Sequence, residues 1–203
     1  VQVVHTDRGR GLQVAAAIEK STADVCLIVH ADCRLSSGTA VEIIRRLKER
    51  PDTPGGAIGM RFDIYKPNMI VIAFFNNWRA RLTGLSFGDK GQYVLSEALP
   101  MIGGYPVIPL MEDVELAMRM RTAGPLLHLN RGITVSGRRW IRTGFNTNVM
   151  LVLRLLLNYL FDRRWRSGDI DYQKYYHAYY GGMSNKQENI RDSAPSKNQF
   201  QSD

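Results

Sequence analysis

The chain has 203 residues, 44% of them hydrophobic, and a formal charge of +8. That length can bury the core of one ordinary domain, and the composition excludes a chain disordered throughout. Two cysteines, Cys26 and Cys33, match neither a zinc spacing nor a disulfide scaffold, and the positive balance points to anionic partners: nucleic acid, phosphorylated small molecules or an anionic membrane surface.

Residues 1–4 read as a short strand, TDRGRG as a turn, and Leu12 to Lys20 as an Ala-rich helix. DVCLIVH, 24–30, is an apolar run of the kind buried on both faces of a parallel sheet, with Cys26 as a small buried hydrophobe and ADCRLSSG as the loop beyond it. Thr39 to Glu49 has apolar residues at helical spacing and stops before Pro51; GAIGMRFD, 56–63, alternates as a strand should. Asn68 to Leu82 reads as a helix ending at Gly84, GQYVLS as a strand, EALPMIGG as a short helix, and Glu112 to Thr122 as a helix closed by Gly124. LLHL and GITVS read as two short strands, and Asn146 to Phe161 as a long, nearly all-apolar helix. The composition turns polar from Ser184, which predicts a catalytic-size domain over 1–183 and a disordered tail over 184–203. Alternating strand and helix signals predict an α/β fold with a mostly parallel sheet flanked by helices.

Four stretches can carry chemistry. Asp32 follows a buried strand at the carboxyl end of the expected sheet, where it either caps a turn or holds a divalent cation against phosphates. Arg8 and Arg10 alternate with glycines before a helix, a pattern that suits a phosphate and equally suits a solvated turn. Glu112 and Asp113 open a helix, where acidic residues serve the helix dipole or, next to the glycines of IGGYPVIP, face a ligand. SGRRWIRTG offers Arg138 and Arg139 as a diphosphate clamp and Trp140 as a wall, or simply a basic surface with a half-buried Trp; Arg142 reads as surface. The histidines at 5, 128 and 177 read as structural, and DYQKYYHAYYGG as helix packing rather than a stacking platform for bases.

The order GRG, LIVHAD, GDKGQYV, GGYPVIPLMEDVEL, SGRRW resembles the family 2 glycosyltransferases, inverting enzymes with the Rossmann-like nucleotide-diphospho-sugar transferase (GT-A) fold. More narrowly, HAD, RLTG and PLMEDVEL are similar to phrases of a bacterial subgroup described as arsenosugar-biosynthesis-associated glycosyltransferases. The resemblance spans about residues 1–160. It implies Asp32 as metal ligand at the second position of a D-x-D motif, with His30 standing at the first as a second contact. It implies Asp113 as general base with Glu112 beside it, Arg138, Arg139 and Trp140 on the donor diphosphate together with Arg8 and Arg10, and Gly103 and Gly104 as the acceptor loop. Ser136 and Gly137 stand where processive members carry Gln, so the resemblance does not extend to polymerisation.

The expected activity is inverting transfer of a hexosyl-type sugar from a UDP- or GDP-linked donor to an unidentified acceptor, assisted by Mg or Mn. The family opens with two strand–helix units of roughly 30 residues each and an acidic DGGSTD-type loop that this sequence does not contain, so the expectation is a partial domain, lacking the first strand–helix units and inactive or weakly stable alone. The alternatives are a truncated, non-catalytic binding module of the same fold, and a nucleic-acid binder with steep salt dependence. No signal peptide is visible, which gives a cytoplasmic expectation, with peripheral membrane contact through the 146–161 helix and its basic, Trp-bearing flank as a side expectation.

Overall fold

The computed structural model describes residues 2–7, 9–166 and 170–180. Arg8 and the 184–203 tail lie outside the described residues, and residues 2–4 form no strand. In chain order the elements are α1 (Arg10–Glu19), β1 (Val25–Leu27), β2 (Cys33–Leu35), α2 (Thr39–Glu49), β3 (Gly55–Phe62), α3 (Pro67–Thr83), β4 (Gln92–Leu95), α4 (Glu112–Ala123), β5 (Leu127–Val135), α5 (Arg138–Thr143) and α6 (Phe145–Trp165). Residues 172–180 are helical.

Local rules account for most of these elements. In α2, Thr39, Ile43 and Leu47 are buried on one face, and Glu42 pairs with Arg45 and Arg46 on the solvent side. Pro67 opens α3, where its missing N–H costs nothing, and Gly84 closes it in the left-handed conformation. EALPMIGG forms two short 3₁₀ turns, Ser96–Ala98 and Pro100–Ile102, instead of one helix, because Pro100 has no N–H to continue the first. LLHL and GITVS join into the single strand β5, whose pairing with β3 shifts register between Ile58 and Met60. Gly59 sits at that irregularity, and a Cβ there would lie 2.0 Å from the Asn130 carbonyl oxygen, so the two backbones approach as only glycine permits.

The five strands lie in the order β1-β4-β3-β5-β2. Only β3 and β5 pair in parallel; β1–β4, β4–β3 and β5–β2 are antiparallel. The fold is mixed α/β, and the expected mostly parallel sheet is corrected: β1, β3 and β5 point one way, with β4 and β2 reversed among them. The chain connection explains β4. Asn77 of α3 hydrogen-bonds both backbone groups of Met60, near the end of β3, and accepts 2.6 Å from Lys90 Nζ, just before β4. Thus α3 returns the chain to the end of the sheet it left, and the next strand must run backwards. The apolar run 24–30 gave no warning, because only Val25–Leu27 of it is strand; Val29 is 40% exposed. ADCRLSSG likewise contains β2, which hairpins against the end of β5 rather than remaining loop.

Burial follows the strand period. Tyr93 packs with Ile43, Ile58 and Ile133 on the face covered by α2 and α3, while its neighbour Val94 packs with Leu116 and Met120 on the face covered by α4 and α1. A third cluster joins α4 to α6 and to the 172–180 helix through Val114, Leu155, Tyr159 and Tyr175. Each large side chain so buried contributes roughly 1.5–3 kcal/mol. The Tyr-rich stretch therefore packs, as its pattern suggests.

Candidate functional site

The carboxyl ends of β1, β3 and β5 lie at one sheet edge, and each is followed by polar residues: His30 to Asp32, Asp63, and Gly137 to Trp140. The pairing of β2 with β5 brings the first and third together, with the Ser136 N–H donating to the Asp32 carbonyl at 3.1 Å. The Gly137 N–H donates to Asp63 Oδ1 at 2.7 Å, which fixes the start of α5. Because β4 runs backwards, Gly88 and Asp89 just before it arrive at the same edge. His30 to Asp32, Gly88, Asp89, Arg139, Trp140 and the start of α4 line, together with α3 and α6, a cavity of about 650 Å³. Open α/β sheets bind ligands at this edge.

The acidic pair sits at its inner end. Met111 precedes α4 in a left-handed conformation, φ 67°, which costs a non-glycine residue about 1–2 kcal/mol. This turn delivers Glu112 and Asp113 to the first helical positions. Asp113 Oδ1 accepts the Val114 N–H at 2.7 Å and Oδ2 accepts the Gly88 N–H at 2.6 Å, so two backbone groups orient one carboxylate. A Cβ on Gly88 would lie 2.3 Å from His30 Nε2 and 3.2 Å from Asp113 Oδ2, so a larger residue there would displace the side chains of the site. Glu112 is buried deeper and does not line the cavity; its Oε1 lies 3.0 Å from Arg10 Nε. Burial raises the Glu112 pKa, Asp113 adds to the rise, and Arg10 opposes it.

Arg10 joins the pair to His30. Its Nη2 donates to His30 Nε2 at 3.1 Å and lies 3.9 Å from Asp113 Oδ2. A guanidinium only donates, so His30 accepts through Nε2 and carries its proton on Nδ1. Burial and Arg10 hold the His30 pKa below its ordinary value, against Asp113 and Asp32. Burial also opposes the Arg10 charge, but Glu112 and Asp113 more than offset it and raise its pKa.

The structure gathers the sequence-predicted residues unevenly. Asp113, Asp32, His30, Arg10, Arg139 and Trp140 line this same cavity. Arg139 stacks on the Tyr179 ring, 3.9 Å from its centroid, and donates to the Tyr179 hydroxyl. Trp140 packs edge-on against Phe62 at 5.7 Å. Arg138 does not join them: it is exposed and bonds Ser136 Oγ, because successive residues of α5 point about 100° apart and only one of the two can face inward. Gly103 and Gly104 do not line the cavity either; both have positive φ, 72° and 76°, and so serve the turn before α4.

Two site residues had no role in the sequence reading. Asp89 and Arg79 both line the cavity, and among the described residues Asp89 Oδ1 and Arg79 Nη1 are buried without hydrogen-bond partners. Burial pushes the Asp89 pKa up to about 6, with Lys90 opposing and Asp113 adding to the rise. Burial lowers the Arg79 pKa, opposed by Asp89 and Asp113. The signals were present: an acid in FGDKG directly before a strand, and Arg79 at i+4 and i+7 from Phe75 and Ile72 on one helix face.

As to a metal, Asp32 is exposed at the cavity, which Asp89 also lines. Hard carboxylate oxygens suit Mg or Mn, which use one or two carboxylates with phosphates and water supplying the rest. His30 does not fit as a second contact, because its Nε2 faces a guanidinium. Among the described residues no three His, Cys, Asp or Glu side chains are grouped for metal binding, so a cation would take most of its ligands from phosphates and water. None of the helices among the described residues is long and apolar enough to cross a membrane. Compared with known protein families and with curated proteins, the chain matches no family model and no curated protein.

Proposed function

We propose that the protein is an inverting glycosyltransferase of the GT-A type, transferring a sugar from a nucleotide-diphospho donor to an acceptor hydroxyl. One observation carries this reading: a single cavity collects a backbone-oriented carboxylate, Asp113, with Asp32, Arg139 and Trp140, from three distant parts of the chain. The chemistry needs a base on one side of the sugar and cationic groups on the other, and these residues supply both.

In the proposed reaction Asp113 accepts the acceptor hydroxyl's proton. The hydroxyl oxygen forms a bond to the anomeric carbon as the bond to the diphosphate oxygen breaks on the opposite face. The nucleoside diphosphate leaves with the electron pair, beside the Arg139 guanidinium. A divalent cation at Asp32, when bound, neutralises charge on that leaving group. Arg10 is committed to Glu112 and His30, so it organises the acidic end rather than offering a free charge to phosphate.

The reading is tested with Asp113→Asn and Asp32→Ala. The first should abolish transfer and keep sugar-nucleotide binding; the second should weaken donor binding that depends on Mg or Mn. A protein that binds sugar nucleotides without any turnover would be the non-catalytic module instead.

A further inference from the structure

The cavity is polar at one end and apolar along its length. Its apolar walls come from two helix faces: Ile72 and Phe75 with Arg79 on α3, and Val149, Val152 and Leu156 on α6. Both sets are spaced at i, i+3 or i+4, and i+7, so each wall runs about 10 Å. Leu156 packs with Leu110, Met111 and Val114 at the start of α4, and Ile72 and Trp140 pack against the cluster that holds Phe62. The walls therefore lead from Asp113 outward to Phe62 and Trp140. Phe75 and Leu153, which also line the cavity, are 56% and 48% exposed, so the apolar end opens to the surface.

A sugar nucleotide alone does not suit this shape, because it offers little apolar surface to helix faces that carry few polar groups. A protein partner's apolar face does not suit it either, since the charged residues Asp89, Arg79 and Asp113 line the inner end. Asp89 and Arg79 line the inner end and are each only partly buried, so a hydroxyl or polyol head there would donate to the Asp89 carboxylate and accept from the Arg79 guanidinium. The cavity volume also lies within the range of small-molecule sites.

We propose that the acceptor is an amphiphile: a hydroxyl-bearing head held by Asp89 and Arg79 beside Asp113, with a hydrocarbon tail between α3 and α6. This rests on the glycosyl-transfer reading for the word acceptor, though the binding claim stands independently.

The test is calorimetric binding of butyl, octyl and dodecyl β-glucosides, each below its micelle concentration, to the full chain. Affinity should rise with tail length by about two- to fourfold per methylene until the tail leaves the cavity. Val152→Trp, which fills the channel, should remove the gain with tail length, so that octyl and dodecyl glucosides bind no more tightly than butyl. Phe74→Ser, an exposed α3 position outside the cavity, should change nothing. Asp89→Asn should weaken all three probes by a similar factor of about tenfold and keep the dependence on length. Equal affinity for the three glucosides, or dodecyl binding by Val152→Trp at the wild-type level in a protein that melts normally, overturns the proposal. Length-dependent binding without transfer would remove the enzymatic reading alone. Transfer that proceeds equally to butyl and dodecyl acceptors would keep that reading and remove this one.

Discussion

Arg10 Nε lies 3.0 Å from Glu112 Oε1, and the same guanidinium donates to His30 at 3.1 Å. One residue at the start of α1 thus balances a buried carboxylate 102 positions later (112 − 10) and sets the tautomer of a histidine after β1. The positive charge that reads as a phosphate contact in the sequence faces a buried carboxylate and a histidine while also lining the cavity.

Removing that charge strands Glu112. Arg10→Met should destabilise the protein by about 2–4 kcal/mol, because Glu112 must then stay buried as an unpaired charge or take up a proton, and Arg10→Met combined with Glu112→Gln should recover most of the loss. Urea denaturation of the two single variants and the double variant gives the coupling. Additive losses would show that the pair carries no interaction.

Glu115 anchors α4 to α6. It accepts from Tyr159 at 2.6 Å, Arg163 at 2.7 Å and Arg119 at 2.9 Å. Burial would raise its pKa, but these donors outweigh burial and bring it down to about 2. A depressed carboxyl contributes stability that is full above its ordinary pKa and is lost as pH falls toward 2. Glu115→Gln should cost on the order of 2 kcal/mol at pH 7 and flatten the acid limb of a stability–pH curve. An unchanged acid limb would contradict this.

His128 behaves oppositely to a paired histidine. Burial lowers its pKa to about 4, with Lys90 and Arg81 adding, and its Nε2 is buried without a partner among the described residues. Between pH 6.5 and 4 the unfolded chain binds the extra proton, so stability is full above 6.5 and falls as pH drops through this window. Asp89 has the reverse sign in nearly the same range, because its raised pKa makes stability fall as pH rises from 3.8 toward 6. His128→Gln should remove the first slope and expose the second, which denaturant midpoints at pH 4, 5, 6 and 7 would show.

Asp89 links stability to the site. Asp89→Asn removes a carboxylate whose charged form is penalised by burial and should stabilise the protein at pH 7 by about 1–2 kcal/mol. Binding should weaken at the same time, the trade expected where a site is preorganised at the fold's expense. A melt no higher than the wild type's would argue against a penalised charge there.

Much of the helix pattern was legible: α2 has the boundaries its apolar spacing gives, and α3 runs from its Pro to its Gly. The reversed β4 was not, because strand direction depends on which end of the sheet α3 returns to, a tertiary relationship in which Asn77 contacts Met60 and Lys90 and which periodicity does not encode. In the site, Asp113, Asp32, Arg139 and Trp140 could be named because each stands in a short chemical phrase. Arg138 and Arg139 are equivalent in a sequence and differ only by helix rotation. Asp89 and Arg79 were missed because an unsatisfied buried atom is a property of packing, visible only once α3 and β4 meet.

The most direct measurement compares sugar-nucleotide turnover and binding in wild-type protein and Asp113→Asn. The account predicts loss of transfer by at least about a hundredfold, as for removal of a general base, with donor affinity unchanged. Near-normal turnover by Asp113→Asn, or no sugar-nucleotide binding by either protein, would contradict it.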